Sequence, residues 1–163
     1  MAMAESVSPQ ADANTQYLEL LQLVERLHRQ LLDVVKDELE REGIDDVNSV
    51  QALLLFNIGD QELTAGELRT RGHYLGSNVS YNLKKLVEAG YIRHERSATD
   101  RRSVRVSLTE TGHAVRSQLN TLFERQSASL SPVGGVEIDA LPSMNTALTR
   151  IERFWADHIR FRM

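Results

Sequence analysis

Ser77, Asn78, Ser80, Tyr81, Lys84 and Lys85 fall within one stretch of helical period, and Asp100-Arg101-Arg102 sits in a polar turn shortly after it. At 100° per residue, Val79, Leu83 and Leu86 turn to one side of that helix, and the hydroxyl, amide, phenol and ammonium groups to the other. Small polar groups suit hydrogen bonding to base edges, while lysines placed after them suit phosphates. Covalent chemistry has no comparable support. The chain contains no cysteine, and its five histidines (His28, His73, His94, His113, His158) fall on separate elements. No H-E-x-x-H, phosphate-binding glycine loop or nucleophile elbow is present. The expectation is a binding protein with no catalytic residue, cofactor or metal, metal sensing by ligands from distant elements being the minority alternative.

Charge is distributed unevenly around these residues. The chain carries a net −4, yet between Arg69 and Arg105 nine basic residues stand against three acidic ones, a local excess of six. A cationic centre between acidic arms is the pattern expected when the middle meets phosphate. The longest apolar run, Ala52 to Phe56, is far short of the roughly 20 residues of a membrane span. The first residues lack the basic start and apolar centre of a signal peptide. No membrane partner is expected, and the default location is the cytoplasm.

The elements that position these groups follow from periodicity. Residues 1–14 show none and read as a mobile tail. From about Thr15 to Glu42, Leu20, Leu23, Val24, Leu27, Leu31, Val34, Val35 and Leu39 recur at helical spacing, ahead of Gly43. Leu18, Leu21 and Leu32 widen the stripe, so this helix packs on two sides, one of them open to a second subunit. A second helix is expected over Ser49 to Ile58, capped by Asn48 and stopped by Gly59. Thr64-Ala65-Gly66-Glu67 has capping-box spacing and opens a short third helix reaching about Arg71. A fourth opens near Ser77 and ends at Gly90. The period then changes to two: Tyr91 to Arg96, the turn Ser97 to Arg102, then Val104, Val106 and Leu108 form a β-hairpin with a basic tip. Thr109 caps a long helix over about Glu110 to Ser129. A last helix starts at Asp139, with Pro142 in its first turn. The fold class is mainly α with a small β-hairpin wing, in the order of a winged helix-turn-helix.

Residues of about 48 to 112 resemble the winged-helix domain of the MarR family of bacterial transcription regulators. Leu63-Thr64-Ala65-Gly66-Glu67-Leu68 is similar to that family's first helix-turn-helix segment, and Val79 through Gly90-Tyr91-Ile92 to its recognition helix and exit. Asp100-Arg101-Arg102 with Val106-Ser107-Leu108-Thr109-Glu110-Thr111-Gly112 is similar to its wing and return. Where the family often has threonine and arginine after the valine, Ser80, Tyr81 and Asn82 follow Val79 here. The flanking helices match the family's dimerisation region in placement. The resemblance divides the chain into a tail (1–14), an N-terminal dimerisation helix and linker (15–47), a DNA-binding lobe (48–109) and C-terminal dimerisation helices (110–163).

The resemblance implies a homodimer that sets two lobes on successive major grooves of a pseudo-palindromic operator in double-stranded DNA. The implied DNA-contact set is Thr64, Ser77, Asn78, Ser80, Tyr81, Lys84, Lys85, Asp100, Arg101 and Arg102, with Arg102 at the minor groove and Asp100 orienting it. It also implies a small aromatic or anionic effector between the dimer helices and the lobe. Val35, Leu53 and Phe56 are candidates for that pocket, although core packing is the simpler explanation of all three. With no cysteine, the thiol-oxidation branch of the family is excluded. The alternative reading is a winged helix that meets an acidic protein, or one that binds DNA without sequence preference.

Overall fold

The computed structural model describes residues 9–72, 76–96, 98 and 104–162, with backbone alone at 72, 76 and 77. Two compact units divide after Leu119. The first contains helices α1 (Pro9–Arg41), α2 (Ser49–Ile58), α3 (Ala65–Gly72) and α4 (Gly76–Glu88), strands β1 (Leu63–Thr64), β2 (Ile92–Arg96) and β3 (Val104–Leu108), and the start of α5 (Glu110–Leu130). The chain is mainly helical with one small sheet.

Helix α2 is apolar on every side, and its Ala52, Leu54, Leu55 and Ile58 are buried. A helix of that character must be enclosed by its neighbours. Both of its ends are satisfied locally. Asn48 Oδ1 accepts from Gln51 N at 2.8 Å, and Gln51 Oε1 accepts from Asn48 N at 3.1 Å, a complete capping box. At the other end Gly59, at φ 63°, donates its N–H to the Leu55 carbonyl. Around α2 gather Val35 and Leu39 of α1, Leu68 of α3, Val79 and Leu86 of α4, and Val115 and Leu119 of α5, all buried.

The sheet is antiparallel in the order β1-β3-β2, with Leu63 opposite Val106 and Ile92 opposite Leu108. Strand β1 is not apparent from the sequence. Two residues show no alternation, and their extended state comes from pairing with β3 far along the chain. The base of the hairpin is locked to α5. Thr109 N donates to the Tyr91 carbonyl at 3.1 Å, and Thr109 Oγ1 donates to the Gly90 carbonyl at 2.7 Å while accepting from Gly112 N at 3.2 Å. A Cβ on Gly112 would stand 2.2 Å from the Tyr91 oxygen, so only glycine permits this approach.

Helix α1 begins at Pro9, so residues 9–14, expected as part of the tail, are helical. Proline is tolerated at a helix start, and Ala11 and Ala13 are strong helix formers in the turn that follows. Only the C-terminal part of its apolar stripe is enclosed. Val35 and Leu39 are buried, whereas Tyr17, Leu18, Leu23, Leu27 and Leu31 are exposed, Leu27 by 60%.

The second unit contains the end of α5 and α6 (Leu141–Phe161), preceded by a single 3-10 turn over Ile138–Ala140. The last helix therefore starts at Leu141 rather than Asp139, with Pro142 in its first positions, where its missing N–H costs nothing. Along α6, Met144, Leu148, Phe154, Ile159 and Phe161 are exposed, Phe154 by 58% and Ile159 by 77%. Among the described residues, no helix is long and apolar enough to cross a membrane.

Candidate nucleic-acid interface

Helix α3 starts with the capping box expected from its spacing: Glu67 N donates to Thr64 Oγ1 and Thr64 N donates to Glu67 Oε2, each at 3.0 Å. The Thr64 hydroxyl oxygen is therefore engaged in holding the helix start. Arg69 and Arg71 of α3 are exposed, and Arg71 Nη1 donates to Gln61 Oε1 at 2.6 Å.

Helix α4 buries Val79, Leu83 and Leu86 and turns Asn78, Ser80, Tyr81, Lys84 and Lys85 outward. Tyr81 is 61% exposed, and Lys85 Nζ lies 5.7 Å from the centre of its ring. An ammonium at that distance from the ring face is held by cation–π attraction and steadies both side chains. The outward residues divide into two groups. Ser80 and Lys84 border an open groove of about 360 Å³ between α4 and the sheet, lined also by Leu83, Val87, Val106 and His94 of β2. Asn78 and Lys85 stand on the opposite edge of the exposed face, the side of α4 on which Asn82 meets Gln51 of α2. The Ser77 side chain and all of Asp100, Arg101 and Arg102 lie outside the described residues.

Strands β2 and β3 carry further charged side chains. In β2 only Ile92 is buried, and Arg93, His94, Glu95 and Arg96 are exposed, the last paired with Val104 at the end of the ladder. On β3, Arg105 Nη1 is 3.8 Å from Glu62 Oε2, an exposed pair worth well under about 1 kcal/mol. Arg93 and Arg96 add exposed cations on β2. The uneven charge count pointed to them, but no motif singled them out.

Behind α4, Tyr91 is buried and its hydroxyl donates to Asp46 Oδ1 at 2.6 Å. Burial first, then that hydrogen bond and the charges of Asp46 and Asp45, push its pKa from 10.0 up to about 12. The phenol stays a donor and ties the loop before α2 to the junction of α4 and β2. Of the three pocket candidates, Val35 is fully buried and Leu53 and Phe56 are partly so, with the Arg116 guanidinium 6.0 Å from the Phe56 ring. None of the three lines the groove beside α4 or the cavity of about 540 Å³ at the α1–α2 loop. Among the described residues, no group of three or more histidines and carboxylates is placed to hold a metal ion.

A buried stripe under a polar, cationic helix, braced by a three-stranded sheet, is the lobe of a winged helix-turn-helix protein. The family model described as MarR family matches residues 45–103. The exopolysaccharide II synthesis transcriptional activator ExpG of Rhizobium meliloti (strain 1021) is 35% identical over 150 residues, spanning 92% of this chain and 77% of that protein. The chain belongs to the MarR family. Among solved structures, the C80S mutant of MarR from E. coli, complexed with operator DNA, superposes with a TM-score of 0.68 at 20% identity, covering 83% of this chain and 95% of that one. BpsR of Bordetella bronchiseptica, whose DNA binding is regulated by 6-hydroxynicotinic acid, has a TM-score of 0.66 at 16% identity, covering 82% and 98%. These two share the fold.

Proposed function

We propose that this chain is a sequence-specific regulator of transcription that binds double-stranded DNA as a homodimer on a pseudo-palindromic operator. The observation that carries this reading is α4: its Val79, Leu83 and Leu86 are buried, and its opposite face offers Asn78, Tyr81, Lys84 and Lys85 to a groove. Ser77, Asn78, Ser80 and Tyr81 meet base edges, while Lys84, Lys85 and Thr64 meet the backbone. Arg102, assisted by Arg101 and oriented by Asp100, borders the minor groove, where negative potential is concentrated. Family membership and the kinship with a transcriptional activator support control of transcription.

The lobe at 48–109 is flanked by dimerisation segments at 15–47 and 110–163, and the exposed apolar faces of α1 and α6 each support a second subunit. A small aromatic or anionic effector, held near Val35, Leu53 and Phe56, changes the spacing of the two recognition helices. The response of BpsR to 6-hydroxynicotinic acid is a precedent on the same fold. The protein works in the cytoplasm by binding, without a catalytic step.

The test is selection from fragmented genomic DNA at near-physiological salt. One inverted repeat with half-sites about 34 to 36 Å apart is the expected product. Retention of every fragment, or of none, would replace this reading with non-specific binding or a protein partner.

A further inference from the structure

Asn82 lies on α4 between the buried stripe and the exposed face, and both ends of its amide are used inside the lobe. Nδ2 donates to the Asn78 carbonyl at 2.9 Å, and Oδ1 accepts from Gln51 Nε2 of α2 at 3.3 Å. Gln51 is buried, and its Oε1 is the acceptor that completes the capping box of α2. Beside it Ser49 donates from Oγ to the Leu32 carbonyl of α1 at 2.7 Å. A directional set of hydrogen bonds thus joins α1, the first turn of α2 and the side of α4.

We propose that Gln51 and Asn82 are a positioning pair whose amide bridge fixes the roll of α4 about its own axis, and with it the aim of Asn78, Tyr81 and Lys85. The inference rests on the DNA-binding reading above and adds the residues that set its discrimination. Val79, Leu83 and Leu86 hold α4 by apolar contact, which is non-directional and tolerates small rotations. A hydrogen bond does not, because it weakens steeply with distance and angle. A roll of about 10° moves a side-chain tip about 6 Å from the axis by about 1 Å. That is enough to stretch a base contact of about 2.9 Å beyond hydrogen-bond range. Attraction to phosphate falls only as the inverse of distance and hardly registers the same shift. Discrimination between sequences therefore depends on the bridge far more than non-specific affinity does.

Asn82→Ala removes the bridge and leaves the capping box of α2 intact, and alanine is the better helix former, so the lobe keeps its fold. Gln51→Met removes the bridge from the other side, and the double variant closes a cycle that cancels the lost cap. Fluorescence anisotropy at one salt concentration compares the selected operator, duplexes with one changed base pair in a half-site, and a random duplex. In each single variant the ratio of operator to changed-site affinity is expected to fall about tenfold. It falls no further in the double variant, and affinity for the random duplex stays within about twofold. An unchanged ratio, against a wild type that does discriminate, overturns the positioning pair alone. Equal losses for operator and random duplex overturn it too, since that is the pattern of a lobe merely destabilised. A wild type that binds all duplexes alike, or none, overturns the DNA-binding reading and this inference with it.

Discussion

The residues on and behind α4 do two different jobs, and substitutions separate them. Lys85 is exposed, steadied on the Tyr81 ring, and forms no ion pair among the described residues. Its replacement by alanine should flatten the slope of log K against log salt by about one unit, as loss of one phosphate contact requires. A slope identical to wild type would remove Lys85 from the interface. Tyr91 works on the folded state instead. Tyr91→Phe deletes the donor to Asp46 and should cost about 1 to 2 kcal/mol in denaturant unfolding at neutral pH. The sign of the pH effect follows from the direction of the shift. The folded pKa, about 12, lies above the ordinary 10.0, so the stabilisation is fully present below pH 10 and is lost as pH rises towards 12. The stability gap between wild type and Tyr91→Phe should therefore close over that window. A gap that stayed constant to pH 12 would contradict a buried, carboxylate-bound phenol.

At the level of elements, much of the architecture could be read from spacing because its determinants are local. The Thr64-to-Glu67 box, the Asn48 cap, the stop at Gly59 and the change of period after Gly90 each involve residues within a few positions of one another. What escaped was set at a distance. Strand β1 exists because Leu63 meets Val106, and the Gln51–Asn82 bridge joins residues on separate helices. The start of α1 at Pro9 escaped for a different reason: its first turns are short of apolar residues, so helical propensity acts there without a periodic stripe. Of the expected contact set, the α4 residues from Asn78 to Lys85 stand on outward positions, and the sequence did not reveal that Ser80 and Lys84 turn to the groove beside the sheet. Gly112 lies at the junction between the hairpin and α5. Alanine inside a helix ordinarily gains about 1 kcal/mol over glycine. Here the new Cβ would meet the Tyr91 oxygen, and overpacking costs typically about 1 to 3 kcal/mol. Gly112→Ala should therefore lower the thermal midpoint. A raised midpoint would mean that the hairpin base yields more easily than the Thr109 bonds indicate.

For the whole molecule, the exposed apolar residues of α1 and α6 are the dominant fact. A side chain such as Leu27, moved from water into an interface, contributes roughly 1.5 to 3 kcal/mol. In a two-fold dimer each position counts once per subunit. Leu27→Glu should shift sedimentation from dimer towards monomer and weaken operator binding at least tenfold, because one lobe can hold only one half-site. Retention of the dimer mass would place the contact elsewhere.

The hairpin ladder runs from Ile92 opposite Leu108 to Arg96 opposite Val104, while β1 and the Thr109 bonds secure β3 at its base. Along this ladder burial is confined to the base: Ile92, Val106 and Leu108 are buried, whereas Arg93, His94, Glu95 and Arg96 are exposed. Selection can consequently recharge Arg93, Glu95 and Arg96 at little risk to folding, since substitutions at exposed positions usually change stability by less than about 0.5 kcal/mol. The lobe thus keeps replaceable charges on a strand whose fold-bearing contacts lie at its base, which lets a lineage of such chains vary its surface faster than its fold.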